Sequence, residues 1–190
     1  KATCDNIQEP LEQEVILTAE NGVEIGGMIT EDLTLYPDVH YIVTSKLLVP
    51  QGVTLTIKPG TVVKFKDNSG FHCEGNLIAN GTPDSVIIFT KSNLGLGNIT
   101  SFKAGYTNYI NYAVFKDLTF SNGDQGFEDY RLGHQSYSGA IYKNCFFKYI
   151  KANYAFYSGR YENCTMTDLQ TSHLFQFTNT ELLNIIGVRN

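Results

Sequence analysis

The chain has 190 residues and a formal net charge of −5, with 42% hydrophobic and 17% charged residues; this allows one sizeable core and argues against a nucleic-acid partner. Lysines and arginines are scattered, no apolar run approaches the roughly 20 residues of a membrane span, and no signal peptide is present, although a chain starting at Lys1 fits a processed product. Tyr and Phe number 12 each, Trp is absent and Gly reaches 17, a mix suited to a turn-rich, aromatic-stacked β protein.

Residues 1–24 are polar and acidic, with Glu9, Glu12, Glu14, Glu20 and Glu24, and Pro10 and Asn21-Gly22 break any long helix. They read as a lead-in with one strand at Val15–Thr18, whose role is to cover the first coil of the domain formed by residues 25–190. Cys4, followed by Asp5 and Asn6, is a candidate lipid-attachment site, although Ala2-Thr3 matches a lipoprotein processing site only weakly.

From Tyr41 to Thr90, short β-branched runs with period-2 alternation are cut by turns at Pro50-Gln51-Gly52, Lys58-Pro59-Gly60-Thr61 and Asn80-Gly81-Thr82-Pro83. Leu33, Leu55, Leu77 and Ile99 are evenly spaced; Leu35, Ile57 and Ala79 keep the same spacing, and so do Gly27, Val49 and Phe71. A period of about 22 residues, built of strands and turns, is the signature of a β-solenoid. Residues 91–108 are looser and glycine-rich, with Ile99 expected to preserve the ladder.

From Ile110 a second motif takes over. Phe115–Phe120, Tyr142–Phe147 and Tyr161–Met166 share the form aromatic-x-[Asp/Asn]-[Leu/Cys]-x-[Phe/Met], with a fading copy at Leu182–Gly187. The first two copies stand further apart than the later ones do. Ile110, Tyr137, Phe156 and Phe177 each precede a copy by the same short offset. This alignment stacks Asp117, Asn144, Asn163 and Asn184 in one column at a turn, where Asn accepts left-handed geometry and bonds its own copies above and below. Cys73 falls on an inward parity, and Cys145 and Cys164 occupy equivalent sites in neighbouring repeats. They read as small buried hydrophobes, with a disulfide between Cys145 and Cys164 left open.

On these residues the chain resembles a right-handed parallel β-helix of the pectate-lyase-like superfamily. More narrowly, GMITEDLTL, YIVTSKLLVPQGVTLTIKPGTVVKF, GNLIANGT and VIIFT resemble the opening of β-helix repeat proteins exported by Gram-negative gut and environmental bacteria. The resemblance covers residues 27–90, with 110–187 as generic repeats. It implies an all-β, single-stranded right-handed parallel β-helix of roughly seven coils in an extracytoplasmic setting, secreted or anchored at the outer-membrane surface. It says little about activity.

The superfamily includes polysaccharide lyases and glycoside hydrolases. A lyase needs calcium-binding carboxylates and a basic residue, and a hydrolase needs two carboxylates about 5–10 Å apart. The coil surfaces carry Lys58, Lys64, Lys66, Lys116, Lys143 and Glu162, with no stacked pair of acids. The long first interval of the second motif places its excess within Ser121–Gln135, which gathers Asp124, Phe127, Glu128, Asp129, Tyr130, Arg131 and His134 into a candidate ligand-binding loop. Its carboxylates suit Ca²⁺ or a sugar hydroxyl, and Phe127 or Tyr130 suits a sugar ring. No two histidines stand at a metal-ligand spacing. The reading leans away from an enzyme. It favours an exported, cell-surface binding or scaffold protein that presents a β-helix face to a glycan or another protein. The competing class is a carbohydrate-active enzyme using Asp124, Glu128 or Asp129.

Overall fold

A computed structural model describes residues 20–104, 108–120, 125–128, 140–152, 154–171 and 178–183. Among the described residues the protein is all-β, with 19 strands, no helix, and every strand-to-strand pairing parallel. The strands are short because polar residues close the corners between them. At two corners a hydroxyl turns back onto the preceding turn: Thr61 Oγ1 donates to the Lys58 carbonyl at 2.7 Å and Ser69 Oγ to the Lys66 carbonyl at 2.5 Å. Both residues are fully buried, so these bonds let the chain bend without leaving a hydroxyl unpaired inside.

Among the residues whose burial is described, strand alternation sends one set of side chains into a common interior, and the strand register continues these lines from rung to rung. Leu35, Ile57, Ala79, Ile110, Tyr142, Tyr161 and Leu182 are successive register partners along one ladder. Tyr41, Val63, Phe89, Phe115, Phe147 and Met166 follow one another along a second. Leu47, Phe71, Phe102, Phe127 and Phe156 are partners along a third line. Neighbouring rungs bring like rings into contact at the strand spacing of about 4.8 Å. Phe89 stacks on Phe115 with centroids 4.7 Å apart, Phe115 on Phe147 at 5.0 Å and Tyr142 on Tyr161 at 4.8 Å. Phe102 meets Phe89 and Phe115 edge-on at 5.4 and 5.2 Å, which joins the third line to the second.

The ladders match part of the expected register and correct the rest. Leu33, Leu55 and Leu77 do stack, as do Leu35, Ile57 and Ala79. Ile99 does not continue them: it pairs with Phe120, while Ala79 pairs with Ile110 across a longer passage of chain. Gly27 and Phe71 both pair with Leu47, and Val49 pairs with Cys73. A bulge between Ile25 and Gly27 absorbs part of the difference from a uniform interval. The strand Val23–Met28, paired to His40–Val49, also crosses the end of the expected lead-in, whose strand at Val15–Thr18 lies outside the described residues.

The second motif is out of phase in its first copy. Phe115 pairs with Phe147 and Tyr142 with Ile110, each across a longer passage than the motif alignment implies, whereas Tyr142 to Tyr161 and Tyr161 to Leu182 pair as expected. The reason lies in the backbone, because two series of positive-φ corners run in parallel between residues 112 and 168. Tyr112, Asn144 and Asn163 adopt φ of 48°, 51° and 52° at one corner, and Asp117, Tyr149 and Asp168 adopt 58°, 53° and 54° at the other. Asp117 therefore leaves the asparagine column. Asn184, Tyr137 and Phe177 lie outside the described residues.

Asn108 is the interior's polar staple. It is 1% exposed, its Oδ1 accepts the Leu77 amide at 2.7 Å, and its carbonyl accepts the Ile141 amide at 2.9 Å. Asn108→Leu leaves the buried Leu77 N–H unpaired, a cost of about 1–3 kcal/mol. The expected result is a Tm lower by roughly 2–12 °C in a circular-dichroism melt. A drop below about 1 °C would show that water or another acceptor replaces the amide.

Candidate functional site

Of the loop singled out from the sequence, Asp124, Asp129, Tyr130, Arg131 and His134 lie outside the described residues, as does Cys4. Phe127 and Glu128 end the strand Gln125–Glu128, where Phe127 is the register partner of Phe102 and of Phe156, and Glu128 that of Lys103. Phe127 thus holds the same register position as buried Phe71 and Phe102.

The described residues bring together a different surface, the outer face of the ladder that runs through Asn76–Asn80, Tyr109–Asn111 and Ile141–Lys143. Strand alternation sends Leu77, Ala79, Ile110 and Tyr142 inward and their neighbours outward. One outward column reads Thr34, Thr56, Ile78, Tyr109, Ile141 and Arg160 by register. Ile78 is 50% and Tyr109 37% exposed. The next outward column carries Asn80, Asn111, Lys143 and Glu162.

Along that second column runs an amide ladder. Asn111 Nδ2 donates to Asn80 Oδ1 at 2.9 Å, Asn144 Nδ2 to Asn111 Oδ1 at 3.0 Å and Asn163 Nδ2 to Asn144 Oδ1 at 3.4 Å. The sequence predicts an asparagine ladder, but not with these members: Asn80 and Asn111 replace Asp117. The ladder steps from the sheet at Asn111 onto the positive-φ corner at Asn144, which keeps the amides in line although the residues are not in strict register. Each internal bond uses one N–H and one oxygen lone pair, so Asn80, Asn111 and Asn144 keep further donor and acceptor capacity for a ligand.

Lys143 closes the face. Its Nζ lies 3.0 Å from Glu162 Oε1, and the hydrogen bond to Glu162, with that carboxylate's charge, holds the ammonium pKa above its ordinary value. Tyr109 and Tyr112 act in the same direction, which places both phenols within electrostatic reach of the pair. The arrangement combines an amphipathic ring, apolar flanks and a row of spare amide groups. It can stack on and hydrogen-bond a polyhydroxylated chain; it offers no activated nucleophile.

A second ordered feature lies beside the other ladder. Asp67 accepts the amides of Leu96 at 3.1 Å and Asn98 at 2.8 Å, and the Leu96 bond, with those of Asn98 and Gly97, outweighs partial burial and holds its carboxyl below the usual range. Leu94 and Leu96, 56% and 74% exposed, ride on the loop so pinned. Of the histidines, His40 is exposed, His72 stands 3.7 Å from Glu74, and His134 and His173 lie outside the described residues. Among the described residues no three His, Cys, Asp or Glu side chains are placed to hold a metal ion, and no helix is long and apolar enough to cross a membrane. No family model matches the chain, and no curated protein or solved structure is significantly similar to it.

Proposed function

We propose that the chain is a right-handed parallel β-helix of roughly seven coils, acting as an exported, cell-surface, non-enzymatic binding or scaffold protein that presents one outer face to a glycan. The β-helix reading is supported by a parallel register in which one residue from each successive strand pairs with the next, from Leu35 through to Leu182. The extracytoplasmic setting and the pectate-lyase-like kinship rest on the resemblance of residues 27–90.

The observation that carries the binding reading is the amide ladder Asn80–Asn111–Asn144–Asn163 beside exposed Tyr109. Sugar hydroxyls are both donors and acceptors, as are side-chain amides, and the apolar face of a sugar ring matches a tyrosine ring. Successive amides repeat at the rung spacing of about 4.8 Å, so an extended glycan can make the same contact several times along its length.

The test is a glycan array on the purified chain beside Tyr109→Ala and Asn111→Ala, with folding of each variant checked by circular dichroism. A bound glycan whose affinity falls about tenfold in either variant is the expected result. No bound glycan, or binding unchanged in both variants, overturns the reading.

A further inference from the structure

Cys145 and Cys164 are both buried and both free thiols. They stand on consecutive rungs at the same position: Phe146 pairs with Thr165 immediately after them, the Asn144 amide donates to the Glu162 carbonyl just before, and the Thr165 amide donates to the Cys145 carbonyl at 2.9 Å. Each S–H is shared between its own turn and the preceding rung. Cys145 Sγ donates to the carbonyls of Lys143 at 3.2 Å and Ile110 at 3.5 Å, and Cys164 Sγ to those of Glu162 at 3.4 Å and Tyr142 at 3.3 Å.

We infer that Cys145 and Cys164 are a dithiol pair that closes, in an oxidising medium, into a disulfide riveting two consecutive rungs of the fold. Parallel rungs lie about 4.8 Å apart, inside the roughly 4.4–6.8 Å range of Cα separations in disulfides. Parallel neighbours point side by side, so closure draws the two Cβ atoms together by about 1 Å and gives up weak S–H···O bonds. Rungs on the near side are held by the stacked rings of Tyr142 and Tyr161, which keep the thiols adjacent. Cys73 lies inward on another strand, where burial pushes its thiol up to about 11, which makes it a poor competitor for exchange.

The oxidant is a low-molecular-weight disulfide. One protein thiolate attacks a sulfur of that disulfide and expels a thiol, leaving a mixed disulfide. The second protein thiolate then attacks the mixed disulfide at the protein sulfur and expels the second small thiol. One S–S bond forms and one breaks, the external disulfide is reduced to two thiols, and those thiols take up the two protons that the cysteines release. Because the native thiols are shielded from solvent, the exchange takes place before these rungs dock, so the bond is set during folding.

The experiment needs no variant and does not depend on the glycan reading. The full reduced chain is refolded in glutathione buffers of increasing oxidised-to-reduced ratio, quenched by alkylation in denaturant, and read by intact mass and peptide mapping. The expected result is loss of two of the four alkylatable cysteines and a single cross-linked peptide joining Cys145 to Cys164. The oxidised form should melt roughly 5–10 °C above the reduced form, and reductant should abolish the difference. Four alkylated thiols at every ratio overturn the inference, as does a cross-link to Cys4 or Cys73. A Cys145–Cys164 bridge that leaves Tm unchanged or lower overturns the riveting role.

Discussion

Phe115→Ala is expected to lower Tm by roughly 6–20 °C, the largest effect of any single truncation in this interior. Phe115 is fully buried, stacked on Phe89 at 4.7 Å and on Phe147 at 5.0 Å, and edge-on to Phe102 at 5.2 Å and Tyr142 at 5.9 Å. It therefore touches rings from all three interior columns. Truncating a buried Phe costs about 3–5 kcal/mol, and the spread depends on how far the neighbours can collapse into the space. Collapse is restricted here, because backbone ladders fix the rung spacing from which Phe89 and Phe147 project. The upper half of the range follows. Phe115→Leu keeps most of the volume and should cost about 1.5 kcal/mol or less. Tyr149→Ala, at a side chain 52% exposed, should stay within about 0.5 kcal/mol. Thermal unfolding of the three variants decides the matter: a Phe115→Ala shift no larger than that of Tyr149→Ala would mean that the stacked column does not carry the core.

The stacked column also shows which features of the fold the sequence expresses. Leu33, Leu55 and Leu77 keep one interval because the turns between them, at Pro50-Gln51-Gly52 and around Gly75, add the same number of residues to each passage. Gly75 itself tolerates no side chain, since a Cβ there would collide with the carbonyl oxygens of Pro50 and Val53. Beyond Asn80 the passages differ in length, and a uniform period no longer tracks the partner: the residue that bonds the Asn80 amide is Asn111, on a longer passage than those that link Leu33, Leu55 and Leu77. A hydrophobic residue such as Ile99 can satisfy the period and still belong to another line, with Phe120.

The phase error in the second motif has a different origin. Both positive-φ corners have a large apolar residue two positions before and an apolar residue just after, so Phe115-Lys116-Asp117-Leu118 and Tyr142-Lys143-Asn144-Cys145 look alike while occupying different corners. Tyr112 and Tyr149 hide the pattern further, since neither is a residue type expected at positive φ. Ring pairing resolves the phase, with Phe115 on Phe147 and Tyr142 on Tyr161. The same shift conceals the candidate face. Asn80 and Asn111 do not read as a column in the sequence, because no even spacing links them, and polar density points to residues 121–135 instead.

The second large effect is expected at Glu20. Its side chain is 4% exposed and ties the first described residue to two later rungs: Lys64 Nζ donates to Oε1 at 2.7 Å, the Asn93 amide donates to Oε2 at 3.0 Å, and Ser92 Oγ donates to the same oxygen. Burial alone would raise the Glu20 carboxyl pKa, but the hydrogen bonds from Lys64, Ser92 and Asn93, with the Lys64 charge, together hold it below the ordinary value of 4.5. A carboxyl pKa depressed by folding stabilises the protein above the unfolded pKa, and that stability is lost as pH falls through the folded pKa. Glu20→Gln removes the charge and leaves Lys64, 13% exposed, without its carboxylate. The expected cost at neutral pH is about 2–3 kcal/mol, between the value of a surface pair and that of a fully buried one. Glu24 and Lys66 are an internal control, 2.6 Å apart but 60% and 38% exposed, so Glu24→Gln should cost less than about 1 kcal/mol. Below pH 4.5 the wild-type curve should fall toward that of Glu20→Gln, because protonation of Glu20 does to the native clasp what the substitution does permanently. Equal Tm losses for Glu20→Gln and Glu24→Gln, or parallel acid limbs for wild type and Glu20→Gln, would show that the clasp is no stronger than a surface ion pair.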